Sequence, residues 1–160
     1  MTQAEGMGLA PWGALGGGSF KTHAQLEASK SEGRQMGAPS ENQMKVADVL
    51  AKMAERKKTA LTSVALAYVT HKAPYVFPII GGRKIEHLKG NIEALSLELS
   101  KEDIEEIEDA APFDVGFPLS FLGMGVKNGA KGPADIFLNN AVGHFDYVED
   151  TVPIRPKTKQ

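Results

Sequence analysis

Two short apolar runs, each closed by glycine, have the pattern of buried β-strands. Residues 7–12 read Met-Gly-Leu-Ala-Pro-Trp and stop at Gly13, ahead of a glycine-rich loop. Residues 75–80 read Tyr-Val-Phe-Pro-Ile-Ile and stop at Gly81 and Gly82. Runs of this length and composition favour strands, although Pro78 removes one hydrogen-bond donor. The pattern therefore predicts two strands, each ending in a glycine turn.

Two helices are predicted between these strands. The first follows Ser40 and Gln43, which have the spacing of a capping box, and it runs to about Arg56. The second begins near Leu61, repeats the same apolar spacing and ends before Pro74. Its alanine-rich apolar face predicts the deeper burial of the two.

Two more helices are predicted after the second strand. The first carries one stripe of apolar residues: Ile85, Leu88, Ile92 and Leu95. Gly90 weakens this helix by roughly 1 kcal/mol relative to alanine. The next helix starts after Ser100, with first-turn acids that suit its dipole, and it turns Ile104, Ile107 and Ala111 inward.

The rest of the sequence has no sustained helical or strand periodicity. Residues 19–40 are predicted to form a long surface loop, and the chain beyond Pro112 a loop and loose tail. Strands separated by helices imply right-handed crossovers and a parallel sheet, so the predicted fold class is α/β. Two strands alone make no stable sheet.

Composition narrows the class of protein. With 160 residues, 42% of them hydrophobic and 24% charged, one soluble globular domain is expected. A net charge of -2 argues against a nucleic-acid partner, and the absence of cysteine indicates a reducing compartment. The longest clean apolar run, residues 64–69, is far short of the roughly 20 residues of a membrane span. With no visible export signal, a cytoplasmic location and no membrane partner are predicted.

The second glycine turn is the strongest candidate for chemistry. Gly81 and Gly82 permit close approach of a ligand, the new helix directs free amides at it, and Arg83 can grip a phosphate with two parallel bonds. His87 and Asn91 follow Arg83 at helical spacing, so all three can lie along one flank beside an adenine-like ring. The alternative is that these are solvated residues at an ordinary turn.

The first glycine turn offers a weaker signal. Trp12 and Gly13 stand at a strand end, where the indole could cover a cofactor ring or could simply pack at the rim. The glycines that follow open no helix, so a Rossmann fingerprint is excluded. The sequence has no nucleophile elbow and no metal-ligand spacing, and no acid/base pair can be assigned, so neither catalytic nor metal-binding residues are predicted.

Three blocks closely resemble one enzyme family. They are GMGLAPWGALGGG at residues 6–18, FPIIGGRKIEHLKGNIEAL at residues 77–95 and PFDVGFP at residues 112–118. They resemble the aldo-keto reductases, in the branch of fungal aryl-alcohol dehydrogenases and norsolorinic acid reductases. The resemblance extends from about residue 6 to residue 121.

This resemblance implies a (β/α)8 TIM barrel that binds NADPH without a Rossmann fold and reduces aldehydes or ketones to alcohols. The chain would be its C-terminal fragment: strands seven and eight with their helices in residues 1–121, then an irregular C-terminal loop and tail in residues 122–160. Family motifs carried onto this sequence assign NADP(H) binding to eight residues: Ala10, Trp12, Gly13, Gly81, Gly82, Arg83, His87 and Asn91. The first three would lie beside the nicotinamide and pyrophosphate, Gly81 to Arg83 at the 2′-phosphate, and the last two near adenine.

Two departures from the family qualify this expectation. Leu9 stands where many members have an aromatic residue under the nicotinamide. The catalytic Asp, Tyr, Lys and His of the family come from its first four strands, which this chain lacks, so a truncated gene product is expected. Two hypotheses follow: the cofactor-binding part of a reductase of small-molecule aryl or polyketide carbonyls, or an inactive or partner-dependent NADPH-binding module. The second predicts self-association or an N-terminal half-barrel partner, because strand edges and apolar helix faces would be exposed.

Overall fold

The structure, a computed structural model, describes residues 2, 4–28, 38–119, 136–144, 146 and 152–154. Its contacts divide the chain into two compact units, Met1–Ala111 with Pro153–Gln160, and Pro112–Val152. The first unit contains all eight candidate cofactor residues. The predicted division between residues 121 and 122 lies outside the described residues and stays a prediction.

Two predicted helices form the centre of the first unit. After the short helix α1, His23–Ala28, helix α2 spans Glu41–Lys57 and α3 spans Leu61–Lys72. The Ser40 hydroxyl accepts the Gln43 amide and the Gln43 side chain accepts the Ser40 amide, which confirms the predicted capping box. Helix α3 is buried around most of its circumference, also as predicted.

Helices α4, Ile85–Glu93, and α5, Lys101–Ala110, complete this part of the fold. The Ser100 hydroxyl caps α5 by accepting from the Asp103 amide, and the Asp103 carboxylate accepts from the Ser100 amide. The core joins α2, α3 and α5 through ten buried residues: Leu50, Met53, Ala54, Leu61, Val64, Ala65, Ala67, Leu99, Ile104 and Ile107. The inward orientation predicted for Ile104 and Ile107 is therefore confirmed.

Two short helices were not predicted. Helix α1, His23–Ala28, lies in the stretch predicted to be a loop, and α6, Phe137–Val142, lies in the predicted irregular tail. Thr22 and Gln25 form a reciprocal pair of hydrogen bonds at the start of α1. This Thr-x-x-Gln spacing is a capping-box signal, but the six-residue helix is too short to show a sustained apolar period.

An ionic cluster joins the end of α2 to the start of α5. Asp103 accepts from Arg56 at 2.8 Å and from Lys57 at 2.7 Å, and Arg56 also reaches Glu106 at 2.9 Å. Burial alone would raise the pKa of Asp103, but hydrogen bonds from Lys57 and the Ser100 backbone, with the Lys57 charge, hold that pKa below its ordinary value. The hydrogen bond to Glu106 raises the pKa of Arg56 further.

The two predicted strands are replaced by a pair of bridged segments. Leu9 forms a parallel bridge with Val76, and Trp12 forms another with Ile79. Both bridges have the same register, because the residues are three apart in each segment. The parallel orientation agrees with prediction, but the described residues contain no continuous strand, so the prediction of two full strands is not confirmed in this part of the chain.

Pro11 explains why the ladder is broken. The Phe77 amide donates to the Leu9 carbonyl at 2.7 Å, and the Ile79 amide donates to the Pro11 carbonyl at 3.0 Å. A continuous parallel ladder would also need residue 11 to donate to the Phe77 carbonyl, and proline has no N–H. Pro78 lies between the two donors, so strand alternation directs its missing N–H away from this pairing.

Helix α4 packs through a different face from the one its apolar stripe suggests. Asn91 of α4 and Ala94, in the 3-10 turn Ala94–Ser96 that follows, are buried, and α4 contacts α3. The apolar stripe is exposed, from 58% at Leu88 to 70% at Ile85. None of the helices in the described part of the chain has the length and apolar character needed to cross a membrane.

Candidate functional site

The two glycine turns leave the paired segments at the same end. Trp12 is bridged to Ile79, so Gly13 follows one partner of the bridge while Gly81 lies two residues beyond the other. Parallel segments end at a common edge, where open α/β folds bind their ligands. The pairing therefore brings both candidate cofactor loops to one edge, next to the start of α4.

The second loop is open to solvent. Gly81, Gly82 and Arg83 are all exposed, and a Cβ at Gly81 would have no neighbour within 4 Å. A Cβ at Gly82, in contrast, would come within 2.7 Å of the Cβ of His87. Glycine is thus required at position 82 by the structure itself, whereas at position 81 its lack of a side chain leaves room for a ligand.

The predicted flank of three residues is only partly formed. Helix α4 starts at Ile85, so Arg83 lies in the bend before it rather than on the helix. His87 is exposed on the first turn, but Asn91 is 9% exposed in the contact with α3. His87 and Asn91 lie four residues apart on α4 while Arg83 lies outside it, and the cofactor contacts expected of these three residues stay a prediction.

The first loop places its candidates in the open. Trp12 is 78% exposed and Ala10 and Gly13 are exposed as well. Gly13 has φ +75°, a conformation that other residues adopt at a cost, and nothing would lie within 4 Å of its Cβ. An exposed indole beside an unobstructed backbone leaves space for a flat ring and an adjacent anion.

These residues fit a phosphorylated dinucleotide. The side-chain-free edges at Gly13 and Gly81 allow backbone approach to phosphate oxygens, and the exposed Arg83 guanidinium can form a bidentate phosphate contact. The nine-residue helix α4 adds a positive dipole end beside Arg83. Within the described residues no group of three or more His, Cys, Asp or Glu side chains could hold a metal ion.

Tyr68, Lys72 and Glu108 form a cluster that the sequence did not predict. Glu108 accepts from the Tyr68 hydroxyl at 3.1 Å and pairs with Lys72, joining α3 to α5. Burial, with the neighbouring Glu108 carboxylate, raises the pKa of Tyr68 to about 12. A phenol held protonated against a carboxylate is a poor proton donor, so this cluster fastens two helices and supplies no acid for catalysis. The four-residue spacing of Tyr68 and Lys72 was visible, but Glu108 as their shared partner depends on tertiary packing.

The family profile described as "Aldo/keto reductase family" matches residues 1–112. The chain is similar to norsolorinic acid reductase B of Dothistroma septosporum, with 50% identity over 98% of this chain and 42% of the relative. It is similar to norsolorinic acid reductase A of Aspergillus parasiticus, with 59% identity over 76% of this chain and 31% of the relative. An aryl-alcohol dehydrogenase of Pestalotiopsis microspora is 50% identical over 98% of this chain and 40% of its own length.

Among solved structures, a thermostable aldo-keto reductase, Tm1743, crystallised with the inhibitor epalrestat, superposes with a TM-score of 0.49 and 20% identity. That superposition covers 69% of this chain and 32% of the other. The chain spans less than half the length of the three relatives named above. The family match and these relatives confirm the resemblance found in the sequence, and family membership supports a (β/α)8 fold. The chain belongs to the aldo/keto reductase family.

Proposed function

We propose that this chain is the NADPH-binding C-terminal part of an aldo-keto reductase that reduces aryl or polyketide aldehydes and ketones to alcohols. The observation that carries the proposal is the parallel Trp12–Ile79 bridge, because both glycine turns follow it at one edge. Relatives named norsolorinic acid reductase and aryl-alcohol dehydrogenase support the substrate class. The cytoplasmic location stays a prediction, favoured by the absence of cysteine.

In this proposal, the two loops hold different parts of the dinucleotide. Gly81 and Gly82 admit the adenosine phosphates, and Arg83 binds the 2′-phosphate. His87 lies near adenine, and Ala10, Trp12 and Gly13 lie beside the nicotinamide and pyrophosphate. The family resemblance also places Asn91 near adenine. Because Asn91 is buried, that contact requires either a rearrangement of α4 or an approach of adenine from one side only.

NADPH, when bound, supplies the hydride for carbonyl reduction. The residues of this chain bind and orient the dinucleotide, and none of them is proposed as the proton donor. Tyr68 is unsuited to that task because its hydroxyl is engaged by Glu108 and its pKa is raised to about 12. The donor is proposed to lie in the part of the reductase fold that this chain does not span.

The single tryptophan gives a direct test. NADPH absorbs at the wavelengths that Trp12 emits, so binding beside the indole should quench Trp12 fluorescence and excite the nicotinamide by energy transfer. Saturable quenching of the purified chain by NADPH, with weaker quenching by NADH, is the expected result. A linear, non-saturating response equal for both nucleotides would contradict the proposal, and free tryptophan serves as the control for inner-filter absorption.

A second candidate is an inactive or partner-dependent NADPH-binding module. The exposed stripe on α4 favours it, since each large apolar side chain left in water forgoes about 1.5–3 kcal/mol of burial free energy. We propose that this stripe is covered either by a second copy or by an N-terminal half-barrel of the same family.

Complementation separates the two candidates. The purified chain would be mixed with the separately expressed N-terminal part of norsolorinic acid reductase A that lies outside its alignment. Co-elution with NADPH-dependent carbonyl reduction supports the reductase proposal, whereas NADPH binding and co-elution with no reduction support the binding module. Size-exclusion chromatography with light scattering over a hundredfold concentration range would report self-association of the chain alone.

A further inference from the structure

We propose that Ser63, on α3, is a positioning residue for the dinucleotide site, an inference that rests on the proposed function. Ser63 is 2% exposed, and its hydroxyl donates to the backbone carbonyl of Gly90 at 3.3 Å. Gly90 lies in the middle of α4, five residues after the first helical position, Ile85. The hydroxyl therefore fixes a point on α4 from the neighbouring helix, without reaching the ligand.

This contact matters because α4 has few other anchors. Its apolar stripe is exposed, so α4 is held through the side that contains Asn91, together with the adjoining Ala94. Small side chains at such a contact let two helices approach closely, but they only weakly fix the position of one helix along and around its axis. A directional hydrogen bond to the Gly90 carbonyl fixes that position.

The position of α4 is transmitted to the loop through His87. His87 lies one turn before Gly90 on α4. It packs so closely against Gly82 that a Cβ at residue 82 would stand 2.7 Å from the His87 Cβ. Gly82 is followed directly by Arg83, which the proposed function assigns to the 2′-phosphate. A shift of α4 against α3 would therefore move His87, Gly82 and Arg83 together.

The test is a double-mutant cycle on the purified 160-residue chain, with 2′,5′-ADP as the titrated ligand in calorimetry. Ser63→Ala is expected to weaken binding about three- to tenfold, the range of one net hydrogen bond. The double variant Ser63→Ala, Arg83→Ala is expected to bind little worse than Arg83→Ala alone. Ser63 is proposed to act by positioning the Arg83 guanidinium, and that group is already absent from Arg83→Ala.

A matched control tests for a merely structural role. Val64 is the next residue on α3 and is fully buried in the core, so Val64→Ala lowers stability while the Ser63–Gly90 hydrogen bond is kept. Titrations are made at a temperature where circular dichroism finds every variant folded, and Val64→Ala should then bind within twofold of the unmodified chain.

Each outcome has a distinct meaning. Equal weakening by Ser63→Ala and Val64→Ala, or additive losses in the cycle, would overturn the positioning role while leaving the proposed function intact. Unchanged binding by Ser63→Ala would do the same. Failure of the unmodified chain to bind 2′,5′-ADP would overturn the proposed function and the inference with it.

Discussion

Gly82 lies so close to His87 that a Cβ at residue 82 would stand 2.7 Å from the Cβ of His87. Contacts between Cβ atoms at that distance do not occur in relaxed structures, and neither atom can move by a simple rotamer change. The turn before α4 and the first turn of α4 are thus fitted to each other. Glycine at 82 is needed even before any ligand is considered.

Substitution of the two adjacent glycines should distinguish the glycine needed for the fold of the turn from the glycine needed only for close approach of the ligand. Gly82→Ala should displace His87 or the turn, lowering stability by about 1–3 kcal/mol, the usual cost of overpacking, and weakening NADPH binding. Gly81→Ala should leave stability nearly unchanged, because its Cβ meets nothing within 4 Å, yet still weaken NADPH binding by steric exclusion.

Chemical denaturation and Trp12 fluorescence titration measure the two effects. The double variant Gly82→Ala, His87→Gly removes the His87 Cβ that the new Cβ at residue 82 would strike, and it should recover stability relative to Gly82→Ala. No difference between the two single variants in stability would disprove the steric assignment.

Removal of the Arg83 guanidinium should abolish preference for the phosphorylated cofactor. Arg83→Ala should weaken NADPH binding by roughly 10- to 100-fold, as for the loss of a charged hydrogen-bonded contact, and leave NADH binding nearly unchanged. Lys89→Ala, which removes another exposed cation from α4, is the matched control. Equal losses for both variants would point to general electrostatic attraction rather than a specific phosphate contact.

The ionic cluster at α5 predicts acid sensitivity. Because the folded-state pKa of Asp103 is lowered, its contribution to stability is complete above its ordinary pKa of 3.8 and is lost as pH falls through the lowered value. Asp103→Asn should reduce unfolding free energy at pH 7 by about 1–2 kcal/mol while its amide oxygen keeps the cap.

Urea unfolding at pH 7 and at pH 3 would measure this contribution. The difference between Asp103→Asn and the unmodified chain should shrink at the lower pH, whereas the exposed-site control Glu93→Gln should show little difference at either pH. A constant difference would exclude ionisation of Asp103 as the source.

Replacement of Gly90 should stabilise α4. Gly90→Ala reduces the conformational entropy of the unfolded chain and should add up to about 1 kcal/mol, since its Cβ would meet nothing within 4 Å and the carbonyl that accepts from Ser63 is retained. Thermal unfolding measures the gain. A loss of stability would mean that α4 approaches a neighbour more closely in solution.

The exposed stripe predicts concentration-dependent association. Leu88→Gln with Ile92→Gln should reduce the apparent mass of the chain in light scattering and reduce binding of a hydrophobic dye, because both side chains are more than half exposed. Val142→Gln, at an exposed site on α6, is the control. Association that persists in the double variant would place the contact elsewhere.

Local signals predicted more of this fold than of this site. The Ser40 and Ser100 caps located the starts of α2 and α5, because capping depends on residues close in sequence. The exposure of the Ile85 stripe could not be read from periodicity, which gives the apolar face of a helix but not what covers it. Asn91 illustrates the same limit, since its burial depends on tertiary packing around α4.

The candidate site followed a similar division. The glycine turns at Gly13 and Gly81 were visible in the sequence, and their common edge follows from parallel pairing. The steric contact between Gly82 and His87 was not visible, because it depends on the angle at which α4 leaves the turn. Ser63 carried no signal of its own, since a serine on a buried helix face is informative only when its acceptor is known.

The interruption at Pro11 has a consequence for how the paired segments fluctuate. Because the ladder lacks the donor that residue 11 would supply between the two bridges, amide exchange at Ile79 need not follow exchange at Phe77. Opening at the Trp12 end can therefore occur while the Leu9–Val76 bridge preserves the alignment of the chain. Breathing of the two glycine turns is therefore expected to be uncoupled from the register of the segments that carry them.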